Sequence, residues 1–492
     1  MKLYLYGHDY KYAVEQMLLT LYPDERPSYP EGLPSGDRAE LRLHEGGERT
    51  TATCRLVIGG KESHGRSSFK NDLAQDCVSR DSHCSRIIKN AFYAAALKAG
   101  HEEPPWGSLT GVRPGKLFCS IAASGGEKAA VRSFIRDYGV SPERTELCRL
   151  TSAVTEEVRA SLGENDVCLY VGIPFCPTRC NYCSFVSQSV EKSMKLIPPF
   201  LDALMLEIEA LARAVNISGR RIISIYMGGG TPTTLSASQL DRLCSELERR
   251  FDLSNLREYT VEAGRPDTIT EEKLRVLRAH GVDRVSVNPQ TMCDGVLEAI
   301  GRRHSAKDVC DALEKVRTVG GMAVNMDLIA GLSTDTVQGF EDSLRKVLSL
   351  DPENVTVHTL SLKNGSRISL EGSRLPTGAE VGEMLAIASR LLPEAGYAPY
   401  YLYRQKFMSG GFENLGWTKA GNVNLYNVCI MEELCPILAL GGGGSTKLTR
   451  TDGGRSERIF APKYPSEYIS GIEKVCADKS KISDFFNGHQ EV

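Results

Sequence analysis

Three cysteines, Cys176, Cys180 and Cys183, fall within eight residues in the stretch YVGIPFCPTRCNYCSF, spaced C-x3-C-x2-C. A disulfide uses two sulfurs and a structural zinc site usually uses four ligands, so three close thiols suit neither. They suit a metal centre that keeps one coordination position for another molecule. Three thiolates can hold three irons of a [4Fe–4S] cluster, which leaves the fourth iron to a small chelating ligand. The chain has 15 cysteines, and no secretion signal is read at its N-terminus. The scattered ones, such as Cys244 and Cys310, therefore read as reduced core thiols of a cytoplasmic protein.

Other residues with chemical capacity recur at the ends of apolar runs. Gly229, Gly230 and Thr231 lie in YMGGGTPT, where glycines let the backbone approach a ligand closely, or simply form a tight turn. Glu262 ends the third β-rich run in YTVEAGRPD, Gln290 closes RVSVNPQ, and Asp327 sits in NMDLIAGL. Arg302 stands in GRRH, and an arginine can pair with a carboxylate.

The elements that must position these residues alternate from about residue 167 to 362. The β-rich runs are VCLYVGI, RIISIYM, REYTVEA, DRVSVN, MAVNMDLI and ENVTVHTL. Between them, segments such as FLDALMLEIEALARAV and TEEKLRVLRAHG carry apolar residues at three- and four-residue spacing, which is helical. Six strand–helix units in a row predict an α/β fold with a parallel sheet and right-handed crossovers. Such a sheet closes most of a barrel or stays open. In both cases the active groups gather at the C-terminal strand ends.

CPTRCNYC after a strand resembles the radical S-adenosylmethionine (SAM) superfamily. Together with the Tyr-x5-Cys lead-in, GGGTPT and the flanking stretches SLTGVRPGKL, YYLYRQK and LGGGGSTK, it resembles the oxygen-independent coproporphyrinogen III oxidase group, and within it the HemZ-type coproporphyrinogen dehydrogenases. The resemblance implies a partial (β/α)6 barrel, a [4Fe–4S] cluster on Cys176, Cys180 and Cys183, and SAM on the fourth iron, with a second SAM left open. It places Tyr170, Tyr182, Gly229, Gly230, Thr231, Glu262, Gln290, Arg302, Asp327 and Ser361 around SAM. It implies oxidative decarboxylation of two propionates of a tetrapyrrole to vinyl groups, fed by an electron donor such as flavodoxin or ferredoxin. Arg404 and Lys406 are the cations proposed for the substrate's carboxylates, because guanidinium forks pair with them. Two residues past Cys183 stands Phe185, where the best-understood oxidases carry a further cysteine and the related heme chaperones resemble this chain. A heme carrier, or a radical enzyme acting on heme itself, is therefore the alternative expectation.

The domain expectation is an N-terminal α+β domain over 1–105, a helical connector over 106–165, the barrel over 166–365, and a C-terminal α+β extension over 366–492 that covers the substrate. With 492 residues the chain is too long for one compact unit. Its net charge of -3 gives no pull toward nucleic acid. No apolar run reaches the length of a membrane span.

Overall fold

The computed structural model describes residues 1–73, 77–183, 188–189, 193–361, 375–405, 409–449 and 456–487. Phe185 and Lys406 lie outside them. The chain divides into two compact units, Met1–Arg149 and Leu150–Val492.

The first unit contains a four-stranded sheet, β1 (Lys2–Tyr6), β2 (Arg38–Glu45), β3 (Arg49–Ile58) and β4 (Lys61–Lys70), in that spatial order. β1 pairs parallel to β2, and the other pairs are antiparallel. Helices Lys11–Leu21 and Cys77–Lys98 supply Val14, Met17, Leu18, Ile88 and Phe92 to a core shared with Leu41, Cys54 and Leu56 of the sheet. β4 has a polar sequence, KESHGRSSFK, and its Gly65 explains how it can lie under a helix. A Cβ there would stand 1.9 Å from the carbonyl oxygen of Ala91. Helices Pro114–Gly125 and Glu127–Tyr138 follow, and helix Pro142–Ala160 runs across the division between the units.

The second unit is built on an eleven-stranded sheet. All six predicted runs form strands: β5 (Asp166–Ile173), β8 (Arg221–Gly229), β9 (Glu258–Val261), β10 (Arg284–Ser286), β11 (Ala323–Ala330) and β12 (Asn354–Thr359). They lie side by side in chain order and pair parallel throughout. Two short strands in the cysteine loop, β6 (Phe175–Cys176) and β7 (Gln188–Ser189), form a separate parallel pair.

The sheet does not close. On the β12 side it continues antiparallel through β14 (Asn414–Thr418) to β13 (Ala398–Tyr403). On the β5 side a seventh parallel strand, β15 (Ile437–Gly441), is followed by antiparallel β16 (Ser445–Leu448) and β17 (Glu457–Phe460). The glycine run LGGGGSTK thus contains the end of a strand. Gly441, at φ +83°, pairs with Gly172 of β5, and a Cβ on it would meet the Gly172 carbonyl oxygen at 2.1 Å. Only glycine allows the two backbones to come this close.

Helix Ile197–Ile217 follows the cysteine loop and is fastened to the C-terminal segment by a buried charge. Glu207, fully buried, bonds Lys479 Nζ at 2.7 Å and accepts the Gly441 amide at 2.7 Å. The Tyr468 hydroxyl donates to the same carboxylate, and Lys479 also donates to the Ala439 carbonyl at 2.6 Å. A buried ion pair loses most when one partner is removed, because the remaining charge is stranded. Lys479→Met is expected to lower the stability of the full chain by about 3–5 kcal/mol, and Glu207→Leu added to it to restore part of the loss. Denaturant midpoints check this; a loss below about 1 kcal/mol in the single variant would remove the pair from the structural account.

Candidate active site

The C-terminal ends of the parallel strands surround a cavity of about 560 Å³. Tyr170, Cys176, Cys180, Tyr182, Cys183, Gly229, Gly230, Thr231, Glu262, Gln290, Arg302, Asp327 and Ser361 all line it. Every described residue singled out in the sequence therefore reaches one place, apart from Arg404. That guanidinium is buried against the Gly411 carbonyl, 2.8 Å away, and is not among the lining groups.

The cysteine loop is pinned on three sides. The amides of Gly230 and Thr231 donate to the carbonyls of Ile173 and Phe175, at 2.8 and 2.7 Å. The GGGTPT turn thus holds the loop with two of its amides. A Cβ on Gly230 would sit 2.4 Å from the Phe175 carbonyl oxygen, so glycine is required there. Across the cavity, Arg265 donates to Thr178 Oγ1 at 3.0 Å and lies 3.9 Å from Cys180 Sγ. The Asn181 amide donates to the Ile300 carbonyl at 3.0 Å, and Arg302 donates to the Tyr182 hydroxyl at 3.2 Å. Three thiols on one braced loop facing a cavity form the donor set that a three-cysteine iron–sulfur cluster needs.

Two atoms on the rim fit a polar ligand beside that loop. Gln290 Oε1 and Arg302 Nε are buried and have no hydrogen-bond partner among the described residues. Buried polar atoms are normally paired, and orphans mark places where a further group binds. Gln290 is also held at φ +68°, outside the ordinary range for a side-chain-bearing residue. Its backbone is clamped by bonds to β11: its amide donates to the Asp327 carbonyl and its carbonyl accepts from Ile329, both at 2.9 Å. Such conformations concentrate at functional sites because surrounding structure must enforce them.

The two carboxylates behave differently. Burial, assisted by the negative charge of Asp327, pushes Glu262 up to about 7, even though Tyr226 Oη donates to it at 2.7 Å. Burial also opposes the charge on Asp327, but there the nearby His358, with Asn325 and Thr356, prevails and holds the carboxyl below its ordinary value. Asn325 Nδ2 donates to Asp327 at 2.7 Å, and His358 Nε2 lies 3.6 Å away. The site thus presents one fixed anion and one carboxyl that exchanges a proton near neutrality.

A tyrosine wall completes the cavity. Tyr226 and Tyr426 stack at 4.5 Å between ring centroids, and Tyr170 stacks on both at 6.4 and 6.3 Å. Tyr401 and Tyr403 of β13, from the stretch YYLYRQK, also line it and stack at 6.3 Å. Sequence reading missed Tyr226, Asn325 and His358. Asn325 lies two residues before Asp327 on β11, so the period-two alternation of strands contained its signal, whereas Tyr226 and His358 were marked only by their place near the C-terminal ends of β8 and β12. Tyr426 and Arg265 carried none, because they enter from a helix and a turn.

The Glu262 titration has a checkable consequence. In carboxyl-region infrared difference spectra, a glutamic acid band should be half-lost near pH 7, and Tyr226→Phe should move that midpoint upward because the ionised form loses a donor. The folded-state value lies above the ordinary 4.5, so the folded chain holds the extra proton between the two, and this group's contribution to stability falls as pH rises from 4.5 to about 7. A Glu262 fully ionised at pH 5.5 would contradict the assignment.

The radical SAM superfamily profile matches residues 170–347, from Tyr170 into the helix Val337–Ser349 that follows β11. The Bacillus subtilis (strain 168) oxygen-independent coproporphyrinogen-III oxidase-like protein HemZ is 38% identical over 385 residues, which are 76% of this chain and 76% of that protein. Heme chaperone HemW of the same organism is 33% identical over 250 residues, 50% of this chain and 64% of its own length. Among solved structures, coproporphyrinogen III oxidase (HemN) from Escherichia coli shares the fold with a TM-score of 0.52 at 22% identity, over 66% of this chain and 72% of that one. With its cysteine loop, strand-end cavity and extended likeness to HemZ, the chain belongs to the radical SAM superfamily, whose members use a [4Fe–4S] cluster and SAM, and within it to the oxygen-independent coproporphyrinogen III oxidase-like group.

Proposed function

We propose that the protein is an oxygen-independent coproporphyrinogen dehydrogenase, converting two propionates of coproporphyrinogen III to vinyl groups; each conversion gives up CO2, one hydrogen atom to the carbon radical and one electron to an external one-electron acceptor. The observation that supports this reading most is the likeness to HemZ over three quarters of both chains, joined to a cavity that brings the cysteine loop and an aromatic wall together. When bound, the cluster and SAM supply a reducing electron and a carbon radical that removes a hydrogen atom. Cys176, Cys180 and Cys183 hold the cluster. Gln290 Oε1 would accept from the ammonium of SAM, Arg302 Nε would donate to its carboxylate, and Asp327 would take the ribose hydroxyls. Tyr182, Gly229, Thr231 and Ser361 shape the same pocket. Glu262, poised near neutrality, would exchange a proton within that pocket, which Tyr170 also lines. Tyr401 and Tyr403 offer ring faces to a flat tetrapyrrole. A flavodoxin- or ferredoxin-type donor delivers the electron.

A second reading is favoured by one observation. The arginines among the described lining residues are Arg265 and Arg302, and both bond the cysteine loop. Coproporphyrinogen brings four carboxylates and heme only two, so a heme-binding role, as in the name of the chaperone HemW, places a smaller demand on these cations.

Anaerobic incubation of the reconstituted protein with SAM, dithionite and coproporphyrinogen III should give 5′-deoxyadenosine together with monovinyl and divinyl products on chromatography. Formation of 5′-deoxyadenosine with no vinyl product would reject the oxidase reading; stoichiometric heme binding without turnover would support the carrier. Cys176→Ala, Cys180→Ala and Cys183→Ala should each lose the cluster absorbance and all SAM cleavage, whereas Cys168→Ala should keep its iron. Retention of four irons per chain in any of the first three would refute the ligand assignment.

A further inference from the structure

Two residues before Tyr170, and facing the same side of β5, is a cysteine that the cluster does not use. Cys168 Sγ lies 3.5 Å from Cys435 Sγ. Together with Cys429 Sγ, the three sulfurs all lie within 4.8 Å of one another. They come from three separate places in the chain: β5, helix Leu425–Glu432 and the turn that leads into β15. All three residues are at most 5% exposed.

We propose that Cys168, Cys429 and Cys435 form a second metal site, which takes a soft, thiophilic d10 cation such as Zn(II) or Cu(I) one layer beneath the tyrosine wall of the cavity. Metal–sulfur bonds of about 2.3 Å set sulfur–sulfur distances of roughly 3.8–4.0 Å. The Cys168–Cys435 separation of 3.5 Å and the 4.8 Å limit on the other two lie close to that range, so rotamer-scale adjustment brings the sulfurs into place. Thiolates select soft cations over the hard ions that oxygen ligands prefer. The surroundings reinforce this choice. Val158, Ile223, Val428 and Ile437 pack around the cluster, and an apolar shell penalises free thiolates but tolerates them once a cation neutralises them. Binding forms three metal–sulfur bonds, releases the thiol protons to solvent and changes no oxidation state. The site would tie β5, which carries Tyr170, to the helix that carries Tyr426 and to β15.

The test uses the full chain with its iron cluster reconstituted, so that Cys176, Cys180 and Cys183 are occupied. The chain is equilibrated anaerobically with Zn(II), and in a parallel arm with chelator-buffered Cu(I), then desalted and analysed for metals. The expected result is one equivalent of Zn(II) or Cu(I) beyond the cluster iron. Cys168→Ala, Cys429→Ala and Cys435→Ala should weaken that binding by more than the roughly ten-fold typical of losing an outer-shell partner, with iron content unchanged. Co(II) gives a readout on the unmutated chain: a three-thiolate set produces intense sulfur-to-cobalt charge-transfer absorption. Retention of neither cation, absence of that absorption, or undiminished uptake in all three variants would overturn the site. A disulfide between Cys168 and Cys435 in anaerobically purified protein would do so as well.

Discussion

Parallel strands in one layer all finish on the same side, and the site depends on that constraint. The cysteine loop after β5, the glycine turn after β8, Glu262 after β9, Gln290 after β10 and Asp327 on β11 come from segments spread over more than 150 residues, yet share one cavity. The local braces on the cysteine loop and on Gln290 refine positions that the sheet already sets. Each is placed by the strand before it, and the strands are placed by ladder hydrogen bonds and by the helices that cover the outer face. The loops could therefore take on unusual backbone, such as the left-handed Gln290, without loss of the frame.

The cavity's electrostatics follow from the same geometry. Strand ends that converge bring acids within reach of each other, and two carboxylates in a recess cannot both carry charge cheaply. The conflict is resolved by unequal donors. Asp327 has His358, Asn325 and Thr356, whereas Glu262 has the Tyr226 hydroxyl and the Gly229 amide. A cationic ligand such as a sulfonium would meet a lining that is negative but not doubly so. The cysteine loop, by contrast, is bordered by Arg265 and Arg302, which suits a cluster whose thiolates bring negative charge.

Much of the second unit was legible because its signals are local. Apolar β-branched runs separated by amphipathic segments report parallel strands and crossover helices directly, and polar residues at run ends report a rim. What escaped was contributed from far along the chain. β15 is short and runs into the glycine run LGGGGSTK, which by itself gives no strand signal; only its partner Gly172, 269 residues earlier by number, shows why glycine stands there. Tyr426 and the three clustered thiols escaped for the same reason, since convergence in space has no spacing in sequence. In the first unit, β4 escaped because one of its faces is polar and its glycine serves a helix contact rather than a turn. Arg404 has the charge that suits a carboxylate, but its guanidinium is committed to the Gly411 carbonyl instead.

The pairing of β15 beside β5 has a consequence for synthesis. During translation the strand that leads into the cysteine loop emerges early, and β8 can cover one of its edges soon afterwards. Its other edge stays open until residues 437–441 leave the ribosome, more than 260 residues later. Contacts so distant in sequence form late and slowly, and an exposed strand edge is a template for unwanted pairing in the meantime. Glu207 waits for the same segment, since Lys479 and Tyr468 arrive later still. Iron loading before the C-terminal segment has docked would therefore meet a loop whose supporting strand is only half paired.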